Sequence, residues 1–272
     1  MNRLTDFAAM LVNEEKSKLT VEKYVRDAKA FLSFCKGKLT REKVLAFKEH
    51  VRTEYEITSA NSMIAAVNCF LKFTGNGNLC VKQFRIQKKP FSPEEKELTR
   101  VEYERLVKTA ERKGNERLSL VLRSMCGTGV RVSELEYITV EAVKQGEAAV
   151  SLKGKTRSVF IVKELRIRLL AYAKRRGIKS GPVFVTRSGR PLCRTNIWRE
   201  MKSLCAEAGV SPQKVFPHNL RHLFARVFYG IEKDIAKLAD ILGHSSIETT
   251  RIYIMTSGAE HRRILEKMRL II

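Results

Sequence analysis

Residues 216–254 have the sequence FPHNLRHLFARVFYGIEKDIAKLADILGHSSIETTRIYI, and no other stretch is as informative about the fold class. Its apolar residues recur at helical spacing, and Gly243 is typical of the end of a helix. Ser245 and Glu248 have the spacing of a capping box, which predicts a further short helix that carries Tyr253. This end of the chain is therefore expected to be helical.

The N-terminal part of the chain shows the same helical spacing. Residues 1–74 contain four periodic apolar segments, each opened by a threonine or serine that could act as an N-cap. The predicted caps are Thr5, Thr20, Thr40 and Ser59. Four helices of this length predict a compact helical domain.

The composition changes between residues 75 and 97, where Gly, Asn, Lys and Pro are frequent. This change predicts a linker between two domains, although its basic stretch, residues 82–89, could also contact a phosphate backbone. A second domain is then expected over residues 98–272. Thr99 and Glu102 have capping-box spacing at its start.

The second domain contains one clear β signal. Residues 148–152 and 157–162 flank a short Lys-Gly-Lys-Thr turn, which predicts a hairpin, and residues 183–186 predict another short strand. The expected fold is therefore mainly α with a small antiparallel β-hairpin or sheet. A helical domain precedes an α+β domain.

Charge points to the class of partner. The 272 residues include 52 Lys and Arg against 29 Asp and Glu, a net charge of +23, of which +17 falls after residue 95. Such an excess favours a polyanion, and nucleic acid is the commonest one. No apolar run approaches the roughly 18 residues that span a bilayer, and no signal peptide is expected, so we expect a cytoplasmic protein without a membrane partner.

Four short segments carry residues suited to phosphate chemistry, TGVRVSEL, SLKGKTRSVFI, FPHNLRHLFA and LADILGHSSIETTRIYI. The guanidinium groups of Arg131 and Arg221 stay charged and can bind phosphate oxygens in a fork. Glu134 follows Arg131 at a spacing that lets it orient the guanidinium. His218 and Arg221 are three residues apart and would share one helix face.

In this order and spacing the four segments resemble the tyrosine recombinase, or phage integrase, family. The resemblance covers residues 98–260, and it implies a helical core-binding domain ahead of the catalytic domain. It implies Tyr253 as the nucleophile of DNA cleavage. The implied catalytic set is Arg131, Lys153, His218, Arg221, His244 and Tyr253. Because the turn around Lys153 is shorter than is usual in the family, Lys155 is an alternative to it.

The resemblance also implies the reaction and its partners. Double-stranded DNA would be cleaved and rejoined through a 3′-phosphotyrosine intermediate, with no metal, ATP or other cofactor. Four protomers would act together on two DNA sites. The C-terminal tail, residues 258–272, has an apolar stripe that could dock on a neighbouring protomer or pack against its own.

Several residues with chemically active side chains are expected to have structural roles instead. His218 and His222 have zinc-ligand spacing, but no Cys or carboxylate accompanies them, so His222 is expected to pack or make a structural hydrogen bond. The six cysteines include no C-x-x-C pair, which gives no zinc or disulfide framework. Tyr137, Tyr172 and Tyr229 are expected to be packing residues.

Two other functions compete with recombination. A type IB topoisomerase would use the same chemistry, relax supercoils as a monomer and need no specific site. A basic architectural protein would bind DNA with an inert set of residues. The short chain and the N-terminal helices favour the recombinase, and trapping of a covalent DNA adduct would separate both enzymes from the architectural protein.

Overall fold

The computed structural model describes residues 3–36, 38–86, 96–152, 155–186, 188–254 and 266–268, with the backbone alone for Leu152 and Lys155. The chain divides into two compact units, Met1–Lys88 and Lys89–Ile272. None of the helices among these residues is long and apolar enough to cross a membrane.

The described residues of the first unit form a bundle of helices around an aromatic core. Phe7 and Phe70 pack edge to face with ring centroids 5.2 Å apart, and Phe31 and Phe47 do so at 5.1 Å. Edge-to-face pairs of this kind add to the energy of burial. The helices are α1 (Arg3–Asn13), α2 (Lys18–Cys35), α3 (Arg41–Glu54) and α4 (Ile57–Phe73).

The starts of these helices correct part of the sequence prediction. Thr40 caps α3 as predicted, since its side chain accepts from the Lys43 backbone N–H. Thr5, Thr20 and Ser59 lie inside α1, α2 and α4, so their prediction as caps was wrong. The cap of α2 is Ser17, whose hydroxyl accepts from the backbone N–H three residues later. Helix α2 therefore begins about one turn earlier than predicted, because the polar side chain of Ser17 already caps it.

The first part of the predicted linker packs on α4. The side chain of Asn68 donates to the Val81 carbonyl (2.8 Å) and accepts from its N–H (3.0 Å). Asn61 makes the same pair of bonds to Phe84, at 2.9 and 2.7 Å. Two asparagines therefore satisfy the backbone of this extended stretch as a neighbouring strand would. Residues 87–95 lie outside the described residues.

The second unit confirms the predicted fold class, because its described residues are mainly helical with one small antiparallel sheet. Its elements are α5 (Arg100–Arg112), α6 (Glu116–Thr128), α7 (Val140–Gln145), β1 (Glu147–Leu152), β2 (Lys155–Phe160), α8 (Lys163–Arg175), α9 (Arg194–Lys202), α10 (Cys205–Ala208), α11 (Pro217–Glu232), α12 (Ile235–Leu242) and α13 (Ile247–Ile254).

The hairpin forms as predicted, with strands that begin one or two residues earlier than expected. Glu147 pairs with Phe160 and Leu152 with Lys155, and residues 153 and 154 lie outside the described residues. Residues 183–186 form no strand: Val185 makes only an isolated bridge, to Pro191, and that prediction was wrong. Its backbone hydrogen bonds include single contacts from the Val183 N–H to the Ile138 carbonyl and from the Leu192 N–H to the Phe184 carbonyl.

Helix α6 lies at the centre of the second unit and packs against α5, α8, α9 and α11. Leu118, Leu122 and Met125 are buried on it. The predicted capping box at the start of α5 is present, because Thr99 and Glu102 exchange hydrogen bonds. This core fixes α6 and α11; the loop after α6 carries Arg131 and Glu134, and α11 carries His218 and Arg221.

Candidate active site

Helix α11 places His218 and Arg221 on one face. Pro217 occupies its first turn, where no backbone donor is needed. Arg221 is 0% exposed, and its two terminal nitrogens donate to the carbonyls of Gly129 and Leu242, each at 2.6 Å. The guanidinium therefore ties together the end of α6 and the end of α12.

Glu134 fixes the position of Arg131 by hydrogen bonds to its backbone and its side chain. The carboxylate accepts from the backbone N–H of Arg131 at 2.7 Å and from its guanidinium at 2.6 Å. Burial raises the pKa of Glu134, but the hydrogen bond from Arg131 and the charges of Arg157 and Arg131 outweigh burial and lower it overall. The carboxylate stays ionised and leaves about a third of the Arg131 side chain exposed.

Positive charge exceeds negative charge around Glu134. Arg157 on β2 donates to it at 2.6 Å, and Arg221 lies 3.8 Å away. Arg157 also donates to the Ile241 carbonyl at 2.5 Å. Three guanidiniums thus share one carboxylate, which leaves the cluster able to bind an anion.

His244 follows the glycine that ends α12. Gly243 has φ +64°, the left-handed conformation that terminates a helix. The His244 ring contacts Thr250 through Nδ1 at 2.9 Å and Arg221 through Nε2 at 3.0 Å. Burial, followed by the charges of Arg221 and Arg131, lowers the pKa of His244 to about 4, so the ring is neutral at neutral pH.

Tyr253 on α13 reaches the same cluster. Its hydroxyl lies 3.0 Å from Nε2 of His218, and the guanidinium carbon of Arg221 lies 5.8 Å from its ring centroid. The tyrosine is 6% exposed. Burial, then the charges of Arg221 and Arg131, lowers the pKa of His218, so its neutral ring can accept the phenolic proton.

A surface pocket of about 420 Å³ opens onto this cluster. Arg131, His218 and Arg221 line it, together with Arg194 and Trp198 from α9. Its polar lining is cationic, which suits a phosphate.

The structure brings together Arg131, Glu134, His218, Arg221, His244 and Tyr253. The predicted Lys153 lies outside the described residues, and its alternative Lys155 is described by its backbone alone. Lys155 is the first residue of β2, paired with Leu152 at the end of the hairpin. Arg157, on the same β2 strand, reaches the cluster.

Comparisons with known proteins identify the family. The phage integrase family matches residues 96–260. The tyrosine recombinase XerA of Pyrococcus furiosus is 30% identical over 276 residues, which cover 98% of this chain and 94% of the relative. The chain belongs to the phage integrase family of tyrosine recombinases. It is thereby a site-specific DNA recombinase.

Solved structures of the phage integrase family share the fold. A crystal structure of XerA recombinase matches with a TM-score of 0.57 at 26% identity and covers 98% of both chains. A lambda integrase (residues 75–356) dimer bound to a COC′ core site matches with a TM-score of 0.74 at 18% identity, covering 94% of this chain and 95% of that one.

His222 packs against Tyr253. The two rings stack with centroids 4.3 Å apart and an interplanar angle of 17°. Burial, followed by the charge of His218, lowers the pKa of His222 to about 4. The sequence predicts either packing or a structural hydrogen bond for this histidine, and the structure shows that it packs against the candidate nucleophile of this integrase-family site.

Two further residues of the site were missed from the sequence. Arg157 lies opposite Val150 and two residues from Val159, both buried, so its charge falls on the inward face of the hairpin. A charge at an inward position needs a partner, and that signal could have found it. Thr250 gave no such signal, because only the fold brings it to His244.

Proposed function

We propose that this recombinase breaks and rejoins duplex DNA through a 3′-phosphotyrosine bond to Tyr253, without a metal ion or ATP. The observation that carries the proposal is the 3.0 Å contact between the Tyr253 hydroxyl and Nε2 of His218. A neutral imidazole at that distance can act as the general base for the phenol.

Cleavage would proceed in one in-line step. His218 takes the phenolic proton, the Tyr253 oxygen bonds to the scissile phosphorus, and the bond to the 5′ oxygen breaks. The leaving oxygen takes a proton from Lys153, or from Lys155 in the alternative assignment. A 5′ hydroxyl from a partner duplex then attacks the phosphotyrosine and reverses the step.

Charge in the transition state would be stabilised by Arg131, Arg221 and His244. Fixed guanidiniums can neutralise the phosphorane oxygens, which is the contribution that divalent ions make in other phosphoryl transfer enzymes. The phosphotyrosine bond conserves the energy of the broken diester, so rejoining needs no nucleotide.

Assembly on DNA is part of the same proposal. We propose double-stranded DNA as the partner, four protomers on two sites, the helical unit as a DNA-binding domain, and the cytoplasm as the location. The net charge of +23 supports DNA binding. A solved lambda integrase tetramer bound to a Holliday junction, similar in fold, supports the assembly.

Covalent trapping tests the proposal. Nicked duplexes from the genomic neighbourhood of the gene are incubated with the protein in EDTA, beside Tyr253→Phe and a matched Tyr229→Phe control. Tyr229 packs in the same small hydrophobic cluster as Tyr253. We expect an adduct with the wild-type protein and with Tyr229→Phe, and none with Tyr253→Phe. An adduct that persists in Tyr253→Phe would exclude Tyr253 as the nucleophile.

A further inference from the structure

The His244 ring is held at both nitrogens, and its partners determine where its proton lies. Nε2 lies 3.0 Å from Nη2 of Arg221, and a guanidinium has donors only. Nε2 must therefore accept. With a pKa lowered by burial to about 4, the neutral ring carries its proton on Nδ1 and donates it to Thr250 Oγ1, 2.9 Å away.

This tautomer does not suit a phosphate. Under the proposed function, on which this inference rests, a phosphate oxygen takes the donor of Arg221 and faces Nε2 of His244. Two acceptors would then meet, unless Nε2 carries a proton. Nε2 therefore has to take a proton from water, and Nδ1 has to release its proton to water, with no change in the net charge of the ring.

After that exchange Nδ1 needs a donor in place of an acceptor. Thr250 is 0% exposed, so water cannot easily take its place. A hydroxyl can both accept and donate by rotating about its C–O bond. Thr250 can therefore satisfy Nδ1 in either tautomer, which a carbonyl, a carboxylate or an apolar side chain could not do.

We propose that Thr250 is a positioning residue that lets His244 exchange tautomers. Its hydroxyl accepts from Nδ1 while Arg221 donates to Nε2, and donates to Nδ1 when Nε2 donates to phosphate. The ring keeps one orientation throughout, since the Thr250 contact persists in both arrangements.

Nitrogen NMR tests the exchange without any cleavage of DNA. Long-range proton–nitrogen spectra of histidine-labelled protein distinguish Nδ1–H from Nε2–H, and His244→Gln identifies the signal. We expect Nδ1–H in the wild-type protein and in Thr250→Ser. Arg221 still donates to Nε2 in Thr250→Val, so we expect the free variant to keep Nδ1–H, and we expect phosphate to convert it less completely than the wild-type ring. Saturating inorganic phosphate should convert the wild-type ring to Nε2–H.

The rate of adduct formation provides the second readout. Thr250→Val should react about tenfold more slowly, the effect of one lost hydrogen bond, while Thr250→Ser stays within about twofold of the wild-type rate. Thr249→Val is the matched control, because Thr249 is exposed beside it. Equal losses in the serine and valine variants would overturn the proposal, as would a wild-type ring that keeps its proton on Nδ1 with phosphate bound.

Failure of this inference can be told apart from failure of the proposed function. Tyr253→Phe retains Thr250 and His244, so its spectrum should show the wild-type tautomer whatever its activity. A wild-type adduct rate in Thr250→Val, with phosphate converting its His244 ring as fully as in the wild-type protein, would remove the role of Thr250 and leave the nucleophile assignment intact.

Discussion

The guanidinium of Arg221 is a buried charge whose surroundings explain why it stays charged. Its terminal nitrogens donate to two backbone carbonyls, and Glu134 lies 3.8 Å away. Burial, and then the charge of Arg131, lowers the pKa of Arg221 to about 10, which keeps it protonated at neutral pH. Carbonyls hold the group without neutralising it, so its charge remains available to a phosphate.

The pH dependence of cleavage depends on a different residue, His218. The base must be neutral, and burial and nearby arginines lower the pKa of His218 below its ordinary 6.5. The rate of adduct formation should therefore fall to half of its neutral-pH value only below pH 6.5, as the ring gains a proton. Single-turnover rates across this range test this, with His218→Gln expected to be slow and to lack this limb.

Unfolding has to be monitored in the same experiment. His222 and His244 have folded pKa values lowered by burial to about 4, so the unfolded chain binds more protons between pH 6.5 and 4. The free energy of unfolding is therefore expected to decrease as the pH is lowered through that window. A rate that halves at or above pH 6.5, in protein that circular dichroism shows to be folded, would contradict the assignment of His218 as the base.

At the scale of elements, the sequence predicted what local patterns control. Helix periodicity, the Thr99 capping box and the hairpin all appear in local residue order. The packing of the extended stretch after α4 could not be predicted in this way, because its backbone hydrogen bonds are made by the side chains of Asn61 and Asn68. Arg157 was missed because its contacts with Glu134 and the Ile241 carbonyl join segments that are far apart in sequence. Thr250 was missed because its contact with His244 forms only when α13 packs beside the end of α12.

The corner between α12 and α13 depends on a glycine. Gly243 has φ +64°, and a Cβ there would lie 2.3 Å from Cδ of Arg157. Gly243→Ala should destabilise the protein by roughly 1–2 kcal/mol for the left-handed backbone and by more for displacing Arg157. It should also slow adduct formation, because Arg157 contacts Glu134 and the Ile241 carbonyl.

A matched glycine isolates the contribution of Arg157. Gly177 has φ +67° with no atom within 4 Å of an added Cβ, so Gly177→Ala carries the backbone strain alone. Urea midpoints and adduct rates of the two variants are to be compared. Equal loss of stability and equal rates would show that the contact of Gly243 with Arg157 does not matter.

The whole molecule combines two compact units with a large positive charge. Each unit has its own hydrophobic core, and the net charge of +23 lies mainly in the part that contains the site. This charge could be predicted from composition, as could the class of partner. The identity of the DNA sequence could not, because it depends on groove contacts and DNA deformation.

Binding to DNA should therefore depend steeply on salt. If at least about six phosphates are neutralised, the logarithm of the association constant should fall with the logarithm of salt concentration with a slope near −5. Fluorescence anisotropy of a labelled duplex over a KCl series measures this slope. A slope shallower than about −2 would contradict a broad electrostatic interface.

The proposed reaction depends above all on Tyr253 forming the covalent bond to DNA, and peptide mapping of the trapped adduct locates that bond. Trypsin cleaves after Arg251 and Arg262, and the peptide between them contains a single tyrosine. After nuclease digestion, mass spectrometry should find the nucleotide on Tyr253 of this peptide, in protein that reacted in EDTA. A nucleotide on any other residue, or an adduct that forms only with added metal, would contradict the proposed reaction.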